Sequence, residues 1–143
     1  MTQTNNPPLN YRDRKKPFVF DYYDSWSLKD EDDTISLWRS EKGGAITISA
    51  MRHRDPSHVA NAFDHCKRFA DQNGIEPISV TGNRQLAEGT FNTPEGSHCH
   101  VRTIAEGPRV VIATYNSDVD DSEEEDEAMA ILKTVAILKT AGS

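Results

Sequence analysis

Cysteine is scarce, with two residues in 143, and this excludes the disulfide-dense scaffold by which small secreted domains make up for a thin core. Nor is such a scaffold needed, since a chain of this length can remove roughly two thirds of its unfolded surface from water. Long apolar runs are missing as well: no window approaches the ~20 residues that a membrane span requires. The opening stretch, Met1–Asn10, is polar and holds Pro7 and Pro8, so it lacks the apolar segment of a secretory signal. These absences predict a cytoplasmic chain with reduced cysteines and no membrane partner. A basic stripe of the kind that drives duplex binding by counterion release is also absent, which predicts no nucleic-acid partner. Enzymatic signatures are missing too. The sequence contains no G-x-S-x-G, no H-E-x-x-H, no phosphate-cradling glycine loop and no C-x-x-C, so no cofactor is expected.

What the chain does have is segregated charge. The net charge is −7, yet eight of the ten residues from Asp118 to Glu127 are acidic, and without them the balance is +1. Arg12, Arg14, Lys15 and Lys16 form a short basic stretch, read as the end of a disordered leader over residues 1–16. Residues 17–141 are read as one α+β domain.

Within that domain, period-2 alternation of aromatic and β-branched residues predicts a strand over Pro17–Tyr23. Trp26 follows as a core anchor. The five consecutive charges Lys29–Asp33 read as a loop. Thr34–Arg39 and Ala45–Met51 flank a hairpin in which Gly43 and Gly44 are expected to supply positive φ. Pro56–Asn73 carries the clearest helical pattern, with Asp55 as N-cap, Asn73-Gly74 as stop, and Val59, Ala62, Phe63, Cys66, Phe69 and Ala70 on one stripe. Strand chemistry resumes in Ile75–Val80, Arg84–Asn92, Ser97–Ala105 and Val110–Tyr115. The last of these is apolar on both faces, which places it inside a sheet covered on both sides. A helix then starts near Ser122, whose spacing to Glu125 matches a capping box, with Ala128, Ile131, Leu132, Val135 and Leu138 as its apolar stripe. Counted as three strands before each helix, these runs predict a six-stranded, mostly antiparallel sheet of order β-β-β-α-β-β-β-α.

Two clusters invite a chemical reading. In His98-Cys99-His100, strand alternation sends the histidines to one face and Cys99 to the other, with Val101, Thr103 and Ala105, so the three cannot grip one ion together. His98 and His100 plus a carboxylate such as Glu88 could do so, and they support the alternative of a metal-dependent or acid/base enzyme. The acid run places Asp118, Asp120 and Ser122 at the first ligand positions of a calcium loop, but Glu123 stands where glycine is needed and Met129 where a bidentate glutamate is needed. It reads better as a solvated helix start whose charge complements the macrodipole.

The strand Phe18–Tyr23, the Trp26 that follows, the Gly43-Gly44 hairpin, the helix after Pro56, the late meander and the closing helix with Ile131, Leu132, Val135 and Leu138 resemble the PsbP-like fold group, and within it the small bacterial DcrB-like proteins and Eag-type adaptors. The resemblance implies an antiparallel sheet flanked by helices and a non-enzymatic role in binding another protein. That group shares no catalytic motif, so no functional residue carries over. The expectation is therefore an adaptor, chaperone or inhibitor of another protein, with a homo-oligomer as a further possibility. Its expected partner surface comprises His58, His65 and Arg68 on the first helix, and His98, His100 and Arg102 on the strand.

Overall fold

The computed structural model describes residues 8–13, 16–39, 43–118 and 121–138. Its elements are β1 (Leu9–Arg12), β2 (Phe18–Tyr22), β3 (Ser27–Glu31), β4 (Thr34–Trp38), β5 (Ala45–Arg52), α1 (Ala62–Asn73), β6 (Ile75–Gly82), β7 (Leu86–Asn92), β8 (His98–Glu106), β9 (Arg109–Ser117), α2 (Ser122–Thr134) and β10 (Ala136–Ile137). The α+β class and the two helices match the expectation, but the single six-stranded sheet does not. Ten strands form two sheets, one ordered β3-β4-β5-β9-β8-β7-β6 and the other β1-β2-β10. Four strands, not three, separate the helices.

β9, with apolar residues on both faces, takes the central place in the large sheet. Its Val111, Ala113 and Tyr115 join one core with Ile35, Leu37, Ile46 and Ile48, and this core is closed by α2 (Ala128, Ile131, Leu132) and by Phe18, Phe20 and Trp26. Val110, by alternation, points to the other face and joins a second core with Ala87, Phe91, Cys99 and Val101 beneath α1 (Ala62, Cys66, Ala70). The helices thus sit on opposite faces and are offset. α1 packs on β6, β7 and β8, whereas α2 packs on β9 and β2.

The departures from expectation each have a local cause. α1 begins six residues later than the sequence pattern suggested. Asp55 builds a tight turn, accepting hydrogen bonds from Ser57 N (2.9 Å) and Ser57 Oγ (2.7 Å). The chain beyond it is held extended, because Ala60 N donates to Gly107 O (2.8 Å) and Ala62 N to Arg84 O (2.6 Å). Asn61 is the N-cap, accepting from Asp64 N, and Val59 lies outside the helix, 64% exposed. The Lys29–Asp33 run is not a loop: its first part is β3, whose charges suit an exposed sheet edge. Leu9–Arg12, expected in a disordered leader, pairs antiparallel with β2. Tyr11 stacks on Phe20 at 4.9 Å, and its hydroxyl donates to Asp30 Oδ2 (2.7 Å). Lys16, buried, pairs with Asp30 Oδ1 at 2.6 Å. Arg14, Lys15 and residues 1–7 of the leader lie outside the described residues, as do Asp120 and Lys139.

Gly43 and Gly44 are needed for space rather than for positive φ, which only Gly82, Gly96 and Gly107 adopt among the described residues. A Cβ on Gly43 would lie 2.1 Å from Glu124 Oε2, and one on Gly44 would lie 2.6 Å from Asn116 O.

Candidate functional site

The acidic start of α2 is not simply solvated. Its N-cap is Asp121, which accepts from Glu124 N (3.0 Å), rather than Ser122. Glu124 is 1% exposed, and its Oε1 accepts from Tyr115 OH (2.6 Å) and from Gly44 N (2.6 Å). Burial first, and the bond to Glu124 second, push the Tyr115 phenol well above its ordinary pKa. Glu123 pairs with Arg39, a contact that raises the Arg39 pKa further. Glu127 Oε1 accepts from the buried Trp26 Nε1 (2.9 Å). Four consecutive or near-consecutive carboxylates, Glu123, Glu124, Glu125 and Glu127, therefore latch the helix onto four separate strands or loops.

The latch made by Glu125 reaches the histidines. His98 and His100 share the α2 side of β8, as alternation requires, with their rings edge-to-face at 4.9 Å. His100 Nε2 lies 2.9 Å from Glu125 Oε2. His98 Nδ1 lies 2.9 Å from Asn92 Oδ1, across the β7–β8 hairpin. One ligand atom from each of His98, His100 and Glu125 falls within 4.8 Å of the others. A cleft of about 250 Å³ opens beside them, with His98, Glu125, Asp118 and Asp121 in its wall.

The carboxylate that joins the histidines is therefore Glu125 and not Glu88. Register explains this: His100 stands opposite Thr90, while Glu88 stands opposite Arg102 and accepts from its Nη1 at 2.9 Å. The Thr93–Gly96 loop, read as a hairpin from sequence, already implies that register when strands are counted outward from it. Asn92 could have been found in this way. Glu125 could not, because nothing local says that the last helix begins within reach of β8.

The expected six-residue partner surface is split. His98, His100 and Arg102 lie on the α2 side of the sheet. His65 and Arg68 lie on α1, and His58 lies in the loop before it, its ring stacked on His53 at 3.9 Å. Those three belong to the opposite side. Partial burial, with Arg68 close by, lowers the pKa of His65. Cys99 and Cys66 are buried and free, and desolvation pushes the Cys99 thiol up to about 12.

Because each helix covers only part of its own face, two quadrants of the large sheet stay open. One is the His98–His100–Arg102 quadrant, whose polar groups are largely engaged by the internal pairs just described. The other lies over β3, β4, β5 and β9 on the α1 side, where Thr34, Ser36, Trp38, Thr47, Ser49 and Thr114 remain half-exposed and Met51 is 48% exposed. A groove of about 680 Å³ runs between this quadrant and the C-terminal end of α1.

An antiparallel sheet with a helix on each face and a small accessory sheet is, in this arrangement, a PsbP-like fold. The chain is similar in structure to cyanobacterial PsbP (CyanoP) from Synechocystis sp. PCC 6803, with a TM-score of 0.59 and 11% identity over 92% of both chains. It is also similar to a Bacteroides thetaiotaomicron VPI-5482 protein, with a TM-score of 0.61 and 15% identity over 94% of this chain and 49% of that one. The chain spans about half the length of the Bacteroides protein. At such identities the likeness is one of fold. No family model and no curated protein matches the sequence. No membrane-length apolar helix is present among the described residues.

Proposed function

We propose that the chain is a non-enzymatic protein-binding domain, an adaptor, chaperone or inhibitor of another protein, akin in role to the DcrB-like and Eag-type members of the fold group. The observation that carries this reading is the open quadrant around Trp38. On β4 and β5 the α2-facing Ile35, Leu37, Ile46 and Ile48 are buried, while their α1-facing neighbours are left half-exposed or exposed, with no helix over them among the described residues. A tryptophan flanked by Ser27, Ser36 and Ala45, with the charges Lys29 and Glu31 kept to the outer strand, suits an interface in which an aromatic anchor carries most of the binding energy. The acidic α2 start would steer the encounter. The two buried thiols fit a reducing, cytoplasmic setting.

The test starts with a partner captured by the wild-type chain from its host, then identified and purified. Trp38→Ala and Thr47→Arg should each weaken that purified partner's binding by about tenfold or more, while leaving far-UV circular dichroism unchanged. Equal affinity for wild type and both variants would refute the assignment of this face.

A further inference from the structure

We propose that His98, His100 and Glu125 form a binding site for one zinc-class divalent ion, a property that does not depend on the protein-binding reading. The chemistry of the donors sets the class. Two imidazoles and one carboxylate suit zinc and its neighbours, and they disfavour calcium and magnesium, which take oxygen ligands.

The geometry is close to what such an ion needs. Ligands about 2.0–2.1 Å from a tetrahedral zinc stand about 3.3 Å from one another. His100 Nε2 and Glu125 Oε2, at 2.9 Å, are already within that distance, the proton they share passing to solvent when an ion takes its place, and the whole set lies within 4.8 Å. The remaining closure falls to His98, the exposed member of the three.

The surroundings support the ligands. When Asn92 Oδ1 accepts from the Nδ1–H of His98, it fixes the tautomer that leaves Nε2 bare, the outer-shell device by which ligating histidines are oriented. The positive end of α2 would by itself repel a cation. The carboxylates of Asp118 and Asp121 on the cleft wall reverse that sign locally. Three protein ligands leave a fourth position, as in zinc sites that admit water or a substrate group.

Calorimetry with zinc chloride on the untagged chain tests the site. The expected result is one ion per chain, unaffected by millimolar magnesium, with a rise of several degrees in Tm at saturation. His98→Ala and His100→Ala should abolish stoichiometric uptake, and Asn92→Ala should weaken it by about 10–100-fold. His58→Ala, on the opposite side of the sheet, should leave it unchanged. Absence of saturable uptake by the wild type would overturn the proposal, as would uptake undiminished in folded His98→Ala and His100→Ala proteins. Loss of zinc binding leaves the Trp38 face untested, and loss of partner binding leaves the zinc site untested, so the two failures are distinguishable.

Discussion

Replacing Gly43 by alanine would set a methyl carbon 2.1 Å from Glu124 Oε2. A free carboxylate would rotate away, but this one is held, because its Oε1 receives both Tyr115 OH and Gly44 N. The methyl must either push the backbone around Gly43 outward or break those bonds. Overpacking of this kind costs about 1–3 kcal/mol. Glu124→Ala leaves the buried Gly44 N–H unpaired and takes from Tyr115 OH one of its two side-chain partners, Ser117 being the other, so with each stranded donor costing roughly 1–3 kcal/mol the loss is about 1–6 kcal/mol in all. At about 2–4 °C per kcal/mol for a chain approaching this size, Glu124→Ala lowers Tm by at least about 2 °C. In the double variant the added methyl enters space that the carboxylate has vacated. The two costs should then fall short of their sum by about 1 kcal/mol or more, within the range found for contacting residues. Urea titrations followed by the fluorescence of Trp26 and Trp38 give the four free energies of the cycle. Costs that add to within about 0.5 kcal/mol would refute the packing argument for Gly43.

Other consequences follow from burial and charge. Cys66 and Cys99 should resist alkylation at pH 8 in the folded protein and react fully in denaturant, as counted by mass spectrometry, since desolvation raises both thiols. The fold holds the His65 imidazole below its ordinary pKa of 6.5, so the unfolded chain takes up the extra proton first. His65 therefore contributes stability that is complete above that value and is lost as pH falls below it. His65→Gln should flatten the acid limb of a Tm-against-pH curve between about pH 7 and 5. Val59→Ser should change stability by less than about 0.5 kcal/mol despite losing an apolar side chain, because Val59 lies outside the core. Phe91→Ala should cost about 3–5 kcal/mol in the same denaturant assay.

Strands with a buried face were legible in the sequence. The alternation around Cys99, the two-sided apolar run of β9 and the Trp26 anchor all describe burial, and burial is what a hydrophobic pattern encodes. Elements held by polar contacts were not. β3 carries almost no apolar signal because it is an edge. The segment after Pro56 keeps a helical pattern, yet neighbouring turns offer its amides better partners. Glu124 looks like its acidic neighbours, and only the close approach of Gly43 and Gly44 shows why a carboxylate is buried there. For the site, the shared face of His98 and His100 followed from period-2 geometry, whereas Glu125, about 25 residues away in sequence, required knowledge of where α2 lands.

The two borders of the large sheet differ in how they refuse an additional strand. β3 offers Lys29, Asp30 and Glu31 in succession, so an incoming chain would meet charge at three of its five residues. β6 interrupts its ladder with Pro77, which has no amide hydrogen to donate, and its pairing with β7 shifts register between Ile75 and Ser79. Extension of the sheet from one molecule into the next is thus opposed at both margins. Fibrous growth by edge-to-edge pairing of the large sheet is disfavoured by the residues of the border strands themselves.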